Sequence, residues 1–539
     1  MCGILAFFDK NGHYKGTPEE LKTHLTSLSH RMVTRGPDGC GYFGGKNWGL
    51  SHERLSIMDP EGGKQPIIYD ELRTGGSPMA SVVNGEIYNH HDLIKKHGKE
   101  GLPPMTGSDS EVINYLYPIL GKELVKELNG IFGLVLTTND GKEILVARDH
   151  CGIKPLYIGH GHNGEMWFTS ELKCIVDQDC ASFEEFPAGH YWTPETGFVK
   201  YYNPEWDHDD YVPTEGVENF KAVLEKAIED QCMSDVPFGL LLSGGLDSAV
   251  VAVVLKGILE KRGKEFHTFS VGEDDSPDIT AARLMSKHLG TTHHEHRFNA
   301  DEAFENIEKI IYHLETYEPE LIRSAIPNFF LAKMTSQHVK MVLTGEGSDE
   351  LFGGYLYFRD APDNKAFHKE LRRIFHHLHN VNCQRADRMT MAHSLEARVP
   401  FLCPNVIDAV MKIDAGEKFI HDGRPAEKHI LRAAYEGTMP DSVLWRTKAM
   451  QCEGIGMTWV AELQSRCNKM VTDEEFENRA TTYPFNTPHT KEEMYYRGLF
   501  EKHFKGMDKF VHVWEGGCRA GGAPWKNAAY TREGLKDVK

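Results

Sequence analysis

The sequence lacks an apolar run long enough to cross a membrane. Its longest run, around residues 249–255, falls far below the roughly 18 residues that a span needs. An excess of positive charge is missing too, since the formal net charge is −19 at pH 7. Such a balance opposes binding to a nucleic-acid backbone or to an anionic membrane surface. Neither nucleic acid nor membrane is therefore expected as a partner.

Paired cysteine motifs are missing as well. The 11 cysteines are irregularly spaced, none forms a CxxC pair, and no cleavable apolar leader is visible. This pattern predicts reduced thiols and a cytoplasmic protein. Two histidine clusters, at residues 293–296 and 376–379, lack the Cys or carboxylate spacing of a closed zinc site. We therefore interpret them as solvated faces of helices or strands.

The length of 539 residues predicts two large domains, because single cores stop growing near about 250 residues. The first 200 residues are dense in short β-type runs, which is typical of a strand-rich α/β domain. A polar segment at 203–215 interrupts this pattern, and apolar runs then alternate with helical segments, as in a parallel sheet covered by helices. After residue 350 we expect helices alone. The predicted domains are 1–205 and 212–512, with a flexible tail at 513–539.

Cys2 follows directly on Met1. Removal of Met1 would leave one residue that carries both a thiol and a free α-amino group. The α-amino pKa of about 7.7 to 8 lets that group accept the thiol proton near neutral pH, as in N-terminal nucleophile hydrolases. Without support from other segments, a cysteine with no role is the simpler interpretation.

Four further segments supply the groups that a glutamine pocket needs. Glutamine presents an α-carboxylate, an α-ammonium and an amide, which call for a guanidinium, a carboxylate and oxyanion donors. These groups occur in the segments RGPD (35–38), HERLSI (52–57), NGEIYN (84–89) and TGSD (106–109). Taken singly, Asn84-Gly85 would also suit a β-turn, and RGPD a simple loop.

Together and in this order, the segments resemble the class II glutamine amidotransferases, whose fold is the α-β-β-α sandwich of N-terminal nucleophile hydrolases. The resemblance implies that Cys2 attacks glutamine and that the Asn84 amide and the Gly85 N–H form the oxyanion hole. It also implies that Arg54 binds the α-carboxylate and that Asp109 and the neighbourhood of Glu86 bind the ammonium. The implied glutamine site comprises Arg54, Ile57, Asn84, Gly85, Glu86 and Asp109.

A glycine- and serine-rich segment, SGGLDS at residues 243–248, follows the apolar run 238–242 and precedes a helical pattern. Such a loop directs backbone N–H groups and two hydroxyls at one anion. It lacks the lysine of a Walker A loop, which argues against γ-phosphoryl transfer and fits enzymes that cleave ATP between the α and β phosphates. The alternative is a strand-to-helix turn without a ligand.

A second loop, LTGEGSDELFGGY at residues 343–355, contains three carboxylates and four glycines. Folding alone does not need this composition. Asp247 and Asp349, from separate loops, could hold Mg²⁺ against pyrophosphate while Glu346 stays free as a general base. Lys448 would offset charge on the leaving pyrophosphate or on an acyl-adenylate.

With the segments EARVPFL (396–402) and EKHILR (427–432), these loops resemble the synthetase domain of the glutamine-hydrolysing asparagine synthetases. The resemblance implies an ATP-pyrophosphatase domain with a parallel sheet flanked by helices, ATP and Mg²⁺, aspartate as acceptor, and a homodimer. In the implied reaction a carboxylate attacks the α-phosphorus, and ammonia deprotonated by Glu346 displaces AMP. The implied ATP site comprises Leu241, Ser243, Gly244, Gly245, Asp247, Ser248, Val271, Thr344, Gly345 and Lys448.

Two segments depart from that family's pattern. Residues 449–454 read AMQCEG where many members have EQFSDG, and Glu320-Leu321 stands where many have Thr-Thr. Both would lie near the acceptor acid, so a different carboxylic acid stays open as acceptor. Arg323 and Tyr355 are candidates for that pocket, although a structural salt bridge suits a helix arginine equally well.

A third hypothesis is a non-catalytic relative that serves as a binding or scaffold protein. Residues with chemical roles in both halves argue against it, namely Cys2, Asn84, Asp109, Asp247 and Glu346.

Overall fold

We analysed the protein as a computed structural model, which describes residues 2–98, 103–138, 141–273, 276–420, 426–448 and 458–511. The chain divides into two compact units. The amino-terminal unit comprises Met1–Asn203, Met233–Pro237 and Met391–Glu396, and the carboxy-terminal unit comprises Pro204–Cys232, Phe238–Thr390 and Ala397–Lys539. The predicted tail and the segment 449–454 lie outside the described residues.

Two sheets of six strands each form the amino-terminal unit, in the orders β10-β8-β9-β1-β3-β2 and β12-β11-β7-β6-β5-β4. Their neighbouring strands run antiparallel, for example β1 with β3 and β5 with β6. The strands are β1 (Gly3–Phe8), β2 (Gly39–Gly44), β3 (Trp48–Arg54), β4 (Ile67–Tyr69), β5 (Met79–Ile87), β6 (Gly130–Thr138), β7 (Glu143–Arg148), β8 (Tyr157–Gly161), β9 (Met166–Thr169), β10 (Cys180–Glu185), β11 (His190–Thr193) and β12 (Gly197–Lys200).

The two faces of β1 show how these sheets are layered. Ile4 and Ala6 join a core that also contains side chains of the second sheet, such as Val82. Leu5 and Phe7 instead pack with Leu21, Leu25 and Leu28 of a helix on the outer face. Alternate residues of a strand point to opposite faces, so both faces of β1 are buried. The helices of this unit are α1 (Pro18–Ser29), α2 (Glu71–Thr74), α3 (His90–His97) and α4 (Val112–Leu120).

A third core, outside the second sheet, contains Leu93 of α3 and Leu116 of α4. Together the three cores separate four layers, in the order helix, sheet, sheet and helices. The predicted α-β-β-α sandwich is confirmed.

The carboxy-terminal unit has a five-stranded sheet in the order β15-β14-β13-β16-β17. Its strand β13 pairs in parallel with both β14 and β16, and β14 pairs in parallel with β15. The predicted parallel sheet is therefore confirmed. Its strands are β13 (Phe238–Leu241), β14 (His267–Gly272), β15 (Thr292–Arg297), β16 (Met341–Leu343) and β17 (Glu396–Arg398).

Helices surround this sheet. Strand β14, which follows β13 in the chain, lies on one side of β13, and the later strand β16 lies on the other side. The order of the strands therefore reverses at β13. Ligands of open α/β sheets bind outside the carboxyl ends of the strands at such a point. The helices are α5 (Phe220–Asp230), α6 (Leu246–Lys261), α7 (Pro277–Leu289), α8 (Ala300–Leu314), α9 (Pro319–Thr335), α10 (Ser348–Phe352), α11 (Asn364–His376), α12 (Asn382–Met391), α13 (Pro404–Met411), α14 (Ala415–Lys418), α15 (His429–Ala434), α16 (Asp441–Leu444), α17 (Thr458–Lys469), α18 (Asp473–Glu477), α19 (Arg479–Thr482) and α20 (Lys491–His503).

Strand β17 corrects the expectation that no strand follows residue 350. It occupies the edge of the sheet beside β16, where the Thr344 N–H donates to the Arg398 carbonyl at 3.0 Å. Three residues are too few to show a two-residue periodicity, and the segment reads Glu-Ala-Arg. The sequence pattern therefore could not predict a strand there.

The histidines at 293–296 lie on β15 and are partly buried rather than solvated. His293 Nδ1 lies 2.9 Å from the Thr268 hydroxyl, and His294 Nε2 lies 3.1 Å from His267 Nδ1. In the second cluster, His376 pairs with Asp207 at 2.7 Å. Among the described residues, no helix combines the length and apolarity that a membrane crossing requires.

Lys418, at the end of α14, is a buried cation whose ammonium donates to the Val410 carbonyl at 2.8 Å. Burial lowers its pKa from 10.5 to about 7, against the smaller opposing charge of Asp414. The unfolded chain therefore binds one more proton than the folded chain between about pH 7 and pH 10.5. The free energy cost of burying the charged amine is largest below pH 7. The free energy of unfolding should therefore rise with pH between about pH 7 and pH 10.5.

We expect Lys418→Met to stabilise the carboxy-terminal unit at pH 7 by on the order of 2 to 4 kcal/mol. The gain should shrink toward pH 10, because the amine of the folded wild type is then neutral and the cost of removing its proton on folding falls as the pH approaches 10.5. Thermal unfolding at pH 7 and pH 9.5 measures both effects, with the exposed Lys469→Met as the matched control. A gain that did not depend on pH would contradict the desolvation account.

Candidate active sites

Cys2 lies immediately before β1 and is only 6% exposed. Its backbone nitrogen donates to Asn84 Oδ1 at 3.0 Å, and its carbonyl accepts from Arg35 Nε at 2.9 Å. Burial raises the pKa of the Cys2 thiol, and this outweighs nearby positive charges that include Arg54. The thiol is therefore neutral near pH 7 and needs a base to become a nucleophile.

Asn84 and Gly85 are residues of β5, paired with Gly133 and Phe132 of β6. This pairing excludes the β-turn interpretation. Because the Asn84 Oδ1 accepts from Cys2, the amide nitrogen is the donor end of the same side chain, and it donates to the Ser170 hydroxyl at 3.4 Å. The predicted nucleophile and the predicted oxyanion donor thus lie side by side.

Gly85 has a φ of +144°, and a Cβ at this position would lie 1.8 Å from the Ile131 carbonyl oxygen. We expect Gly85→Ala to cost on the order of 3 kcal/mol or more, because the β5–β6 pairing must shift to relieve the clash. Glutamine hydrolysis should fall with it. Thermal unfolding and glutamate release measure the two losses. Gly76→Ala, where a Cβ meets no atom within 4 Å, is the control, and equal behaviour of the two variants would contradict the argument.

The other predicted glutamine-site residues are buried and hold loops in place. Arg54 donates to the carbonyls of Asp59 at 2.7 Å and Pro60 at 2.9 Å. An Asp109 carboxylate oxygen accepts the Ile87 N–H at 2.6 Å. Glu86 and Ile57 are 4% and 2% exposed. The guanidinium and the carboxylate that the glutamine site requires are thus fixed within this unit.

A buried charge network beside Cys2 was not predicted from the sequence. Arg35, which donates to the Cys2 carbonyl, also pairs with Glu171 at 2.9 Å, and Glu171 pairs with Lys173. All three charged side chains are at most 2% exposed. Arg35 belongs to the RGPD segment, but nothing in the sequence connects that segment to residues 171–173, which only the fold brings beside it.

In the carboxy-terminal unit, residues 243–248 connect β13 to the start of α6. Ser243 and Ser248 hydroxyls lie 3.1 Å apart, and the Gly245 N–H donates to the Ser243 hydroxyl at 3.3 Å. Asp247 lies in the first turn of α6. Both hydroxyls and the helix start therefore meet at the carboxyl end of a central strand, as the sequence predicted.

A cavity of about 390 Å³ opens at this point. Gly244 is not part of its wall, and the Gly244 carbonyl instead accepts from Arg446 at 3.1 Å. The predicted residues that line the cavity are Leu241, Ser243, Gly245, Asp247, Ser248, Val271, Arg323, Thr344, Gly345, Glu346, Asp349, Tyr355 and Lys448. The fold thus brings together residues that are more than 200 positions apart in the chain.

The two carboxylates predicted to bind a cation contact lysines. Lys428 lies 2.6 Å from both oxygens of Asp247 and 2.7 Å from Asp349 Oδ1. Lys448 lies 2.7 Å from Asp349 Oδ2. Lys428 had no predicted role, because a lysine after a glutamate at a helix start is typical of a surface. It is in fact only 2% exposed.

These contacts set the charge states in the cavity. Burial by itself would raise the pKa of Asp349, but the ammonium groups of Lys428 and Lys448 outweigh it and hold that pKa well below its ordinary value. In turn, burial would lower the pKa of Lys448, but Asp349 and then Asp247 raise it above its ordinary value. The Asp349 carboxylate and the Lys448 ammonium are therefore both charged near pH 7.

One expectation about a single residue needs correction, and one alternative that the sequence left open is observed. Glu346 is not free, because Arg385 donates to its carboxylate at 2.7 Å. Arg323 forms a bidentate pair with Glu492, whose carboxylate also accepts from the Tyr496 hydroxyl at 2.9 Å. The structural salt bridge therefore accounts for Arg323, although this residue also lines the cavity.

Tyr355, the other candidate for the acceptor pocket, donates its hydroxyl to Glu350. More generally, each cationic side chain that lines the cavity contacts a carboxylate. The pairs are Arg323–Glu492, Arg385–Glu346, Lys428–Asp247, Arg432–Glu427, Arg446–Asp278 and Lys448–Asp349.

Two family models match the chain. The model described as asparagine synthase matches residues 219–366 and 359–519, and the model described as glutamine amidotransferase domain matches residues 1–225. Full-length relatives agree. Asparagine synthetase (glutamine-hydrolyzing) 2 of Arabidopsis thaliana is 42% identical over 94% of this chain and 88% of its own length. Asparagine synthetase B (glutamine-hydrolyzing) of Escherichia coli is 39% identical over 94% of this chain and 91% of its own length. The chain therefore belongs to the asparagine synthase family and has a glutamine amidotransferase domain at its amino-terminal end.

Proposed function

We propose that the protein synthesises asparagine from aspartate, with ATP as the energy source and glutamine as the nitrogen donor. The observation that carries the proposal is the contact of Cys2 with Asn84 in one unit of a chain whose other unit holds the SGGLDS cavity. A glutaminase alone would not need the second site. An ammonia-dependent ligase would not need the first.

In the amino-terminal unit, the Cys2 thiol attacks the glutamine amide carbon. With Met1 removed, the Cys2 nitrogen is an α-amino group that accepts the thiol proton, and the Asn84 Oδ1 at 3.0 Å orients it. The Asn84 amide nitrogen and the Gly85 N–H stabilise the developing oxyanion. Ammonia leaves, and water hydrolyses the thioester to glutamate. Arg54 and Asp109 bind the α-carboxylate and the α-ammonium of the substrate.

In the carboxy-terminal unit, the loop 243–248 binds the phosphates of ATP while the backbone near Leu241 and Val271 contacts the nucleoside. The aspartate side-chain carboxylate attacks the α-phosphorus, and the bond to pyrophosphate breaks. Ammonia then attacks the acyl carbon of the aspartyl-adenylate and displaces AMP. Glu346, whose carboxylate Arg385 orients through a contact of 2.7 Å, accepts a proton from the ammonia, and Lys448 offsets charge on the pyrophosphate.

The carboxylates of the loops 243–248 and 343–355 suit a magnesium ion. Asp349 Oδ1 is buried and lies 2.7 Å from Lys428, but among the described residues no group donates a hydrogen bond to it with suitable geometry. Asp247 and Asp349 would hold the ion, which would neutralise charge on the pyrophosphate. The described residues contain no cluster of three side chains suited to a metal ion. Substrate phosphate and water would therefore complete the shell, as Mg²⁺ prefers.

A second candidate function is the same two-step chemistry on a different carboxylic acid. Glu320 and Leu321 line the cavity, and the Arg323 guanidinium is held by Glu492. A wall with this composition is less suited to the two carboxylates of aspartate than one with hydroxyl donors and an open guanidinium. The segment 449–454, which also departs from the family pattern, lies outside the described residues.

The test supplies purified protein with glutamine, ATP and Mg²⁺, with and without aspartate, and follows asparagine and pyrophosphate together. Equal amounts of the two products that depend on aspartate would support asparagine synthesis. Glutamate without asparagine would favour the second candidate. The double variant Glu320→Thr, Leu321→Thr would then be expected to gain aspartate-dependent pyrophosphate release, and acceptor profiling by AMP release would identify the native acid.

We also propose a homodimer in the cytoplasm. Within the described ranges, free thiols are present at Cys2, Cys40, Cys180, Cys232, Cys383 and Cys467, which is compatible with a reducing compartment. Light scattering measures the mass of the assembly, and a monomer at micromolar concentration would contradict the dimer.

A further inference from the structure

Lys428 occupies the space between the two carboxylates to which the proposed function assigns the cation. Its ammonium contacts both Asp247 oxygens at 2.6 Å and Asp349 Oδ1 at 2.7 Å. The lysine side chain is 2% exposed, and the two carboxylates are 16% and 14% exposed. Two partly buried carboxylates that contact the same ammonium would repel each other without that positive charge between them.

The local fold is built to hold this lysine. Lys428 has a φ of +55°, a left-handed conformation that residues with side chains adopt only when their surroundings require it. At Gly354 a Cβ would lie 2.1 Å from the Lys428 Cε and 2.1 Å from Asp349 Oδ1. The glycine at 354 therefore leaves room for both the lysine stem and the carboxylate.

We propose that Lys428 is a built-in counter-ion of the cation site, which neutralises Asp247 and Asp349 in the nucleotide-free enzyme and competes with the divalent cation for them. The inference rests on the proposed function, since it takes these two carboxylates as cation ligands. A magnesium or manganese ion binds oxygen at about 2.0 to 2.2 Å. The ammonium already contacts the same oxygens, and two cations cannot share them without strong repulsion. The lysine must therefore move when the metal nucleotide binds.

Because Lys428 competes for the same carboxylates, the site should bind a free divalent cation weakly. The device would keep the cavity from holding Mg²⁺ without ATP, because only the metal together with pyrophosphate oxygens outweighs the lysine. It also provides a positive charge that becomes available to the phosphates at the moment the cation displaces it.

The experiment measures Mn²⁺ binding to the full-length, nucleotide-free protein by the loss of the free-ion electron paramagnetic resonance signal. Lys428→Met and Lys428→Gln are compared with wild type and with the exposed control Lys469→Met. We expect both Lys428 variants to bind Mn²⁺ about tenfold more tightly, because an ion pair no longer has to be broken. We also expect a lower thermal unfolding midpoint in EDTA, which added Mn²⁺ restores. Unchanged or weaker Mn²⁺ binding in both folded variants would overturn the inference.

Asp247→Asn and Asp349→Asn separate this inference from the proposed cation site itself. If these variants lose Mn²⁺ binding while the Lys428 variants match wild type, the site is correct and the competition is wrong. If they bind Mn²⁺ as wild type does, the proposed cation ligands are wrong and the inference falls with them.

Discussion

Replacement of Cys2 by alanine is expected to reduce glutamine-dependent asparagine formation by at least about a thousandfold, since the nucleophile is lost. Synthesis from free ammonia should continue at the wild-type rate. The physical reason is that Cys2 belongs to the amino-terminal unit, whereas all the residues lining the SGGLDS cavity belong to the other. Parallel assays with glutamine and with an ammonium salt measure the two activities.

Cys180→Ala is the matched control, because Cys180 is a partly buried thiol on the edge strand β10 of the same unit. It should keep both activities. Equal loss of both activities in Cys2→Ala would contradict the assignment of separate chemistry to the two units.

Replacement of Asp349 by asparagine is expected to reduce ATP-dependent pyrophosphate release by about a hundredfold or more. The substitution removes a proposed cation ligand, and it also leaves the ammonium of Lys448 without its partner at 2.7 Å. A partly buried charge without its partner is costly, so the carboxy-terminal unit should also lose on the order of 1 to 3 kcal/mol of stability. Pyrophosphate release at saturating ATP and thermal unfolding measure these effects.

Asp473→Asn provides the control, because Asp473 is 94% exposed in a surface pair with Lys491. Its pyrophosphate release and its unfolding midpoint should remain close to wild type. Glutamine hydrolysis should survive in Asp349→Asn, since Cys2 and Asn84 are not altered. Full pyrophosphate release in a folded Asp349→Asn protein would remove this residue from the proposed mechanism.

The sheets were predictable where a strand has a strong pattern of its own. The run 3–8 is apolar throughout and becomes β1 with the same ends, and the run 166–169 becomes β9. The short run 80–83 predicts a strand shorter than the observed β5, which spans Met79–Ile87. Cross-strand hydrogen bonds lengthen a strand past its apolar centre, and a single segment does not reveal them.

The residues that line the two sites were predictable, because each lies in a short segment with a recognisable composition. The side chains that pair with them were not predictable. Arg385 pairs with Glu346 across 39 positions, and Glu492 pairs with Arg323 across 169 positions. The sequence pattern around a charged helix residue is the same whether the residue faces water or a buried partner. The sequence alone could therefore not indicate these pairs. Lys428 was missed for the same reason.

In the described part of the cavity wall, the positive charges are already paired with negative ones. Its six cationic side chains each contact a carboxylate. A site with open lysines and arginines attracts phosphate from a distance, and dissolved salt weakens that attraction strongly. In this cavity a bound phosphate replaces a carboxylate as the partner of a lysine or an arginine, so the change in electrostatic energy is confined to short distances. Nucleotide affinity should consequently change little with ionic strength, and the enzyme would work alike in dilute and in concentrated salt.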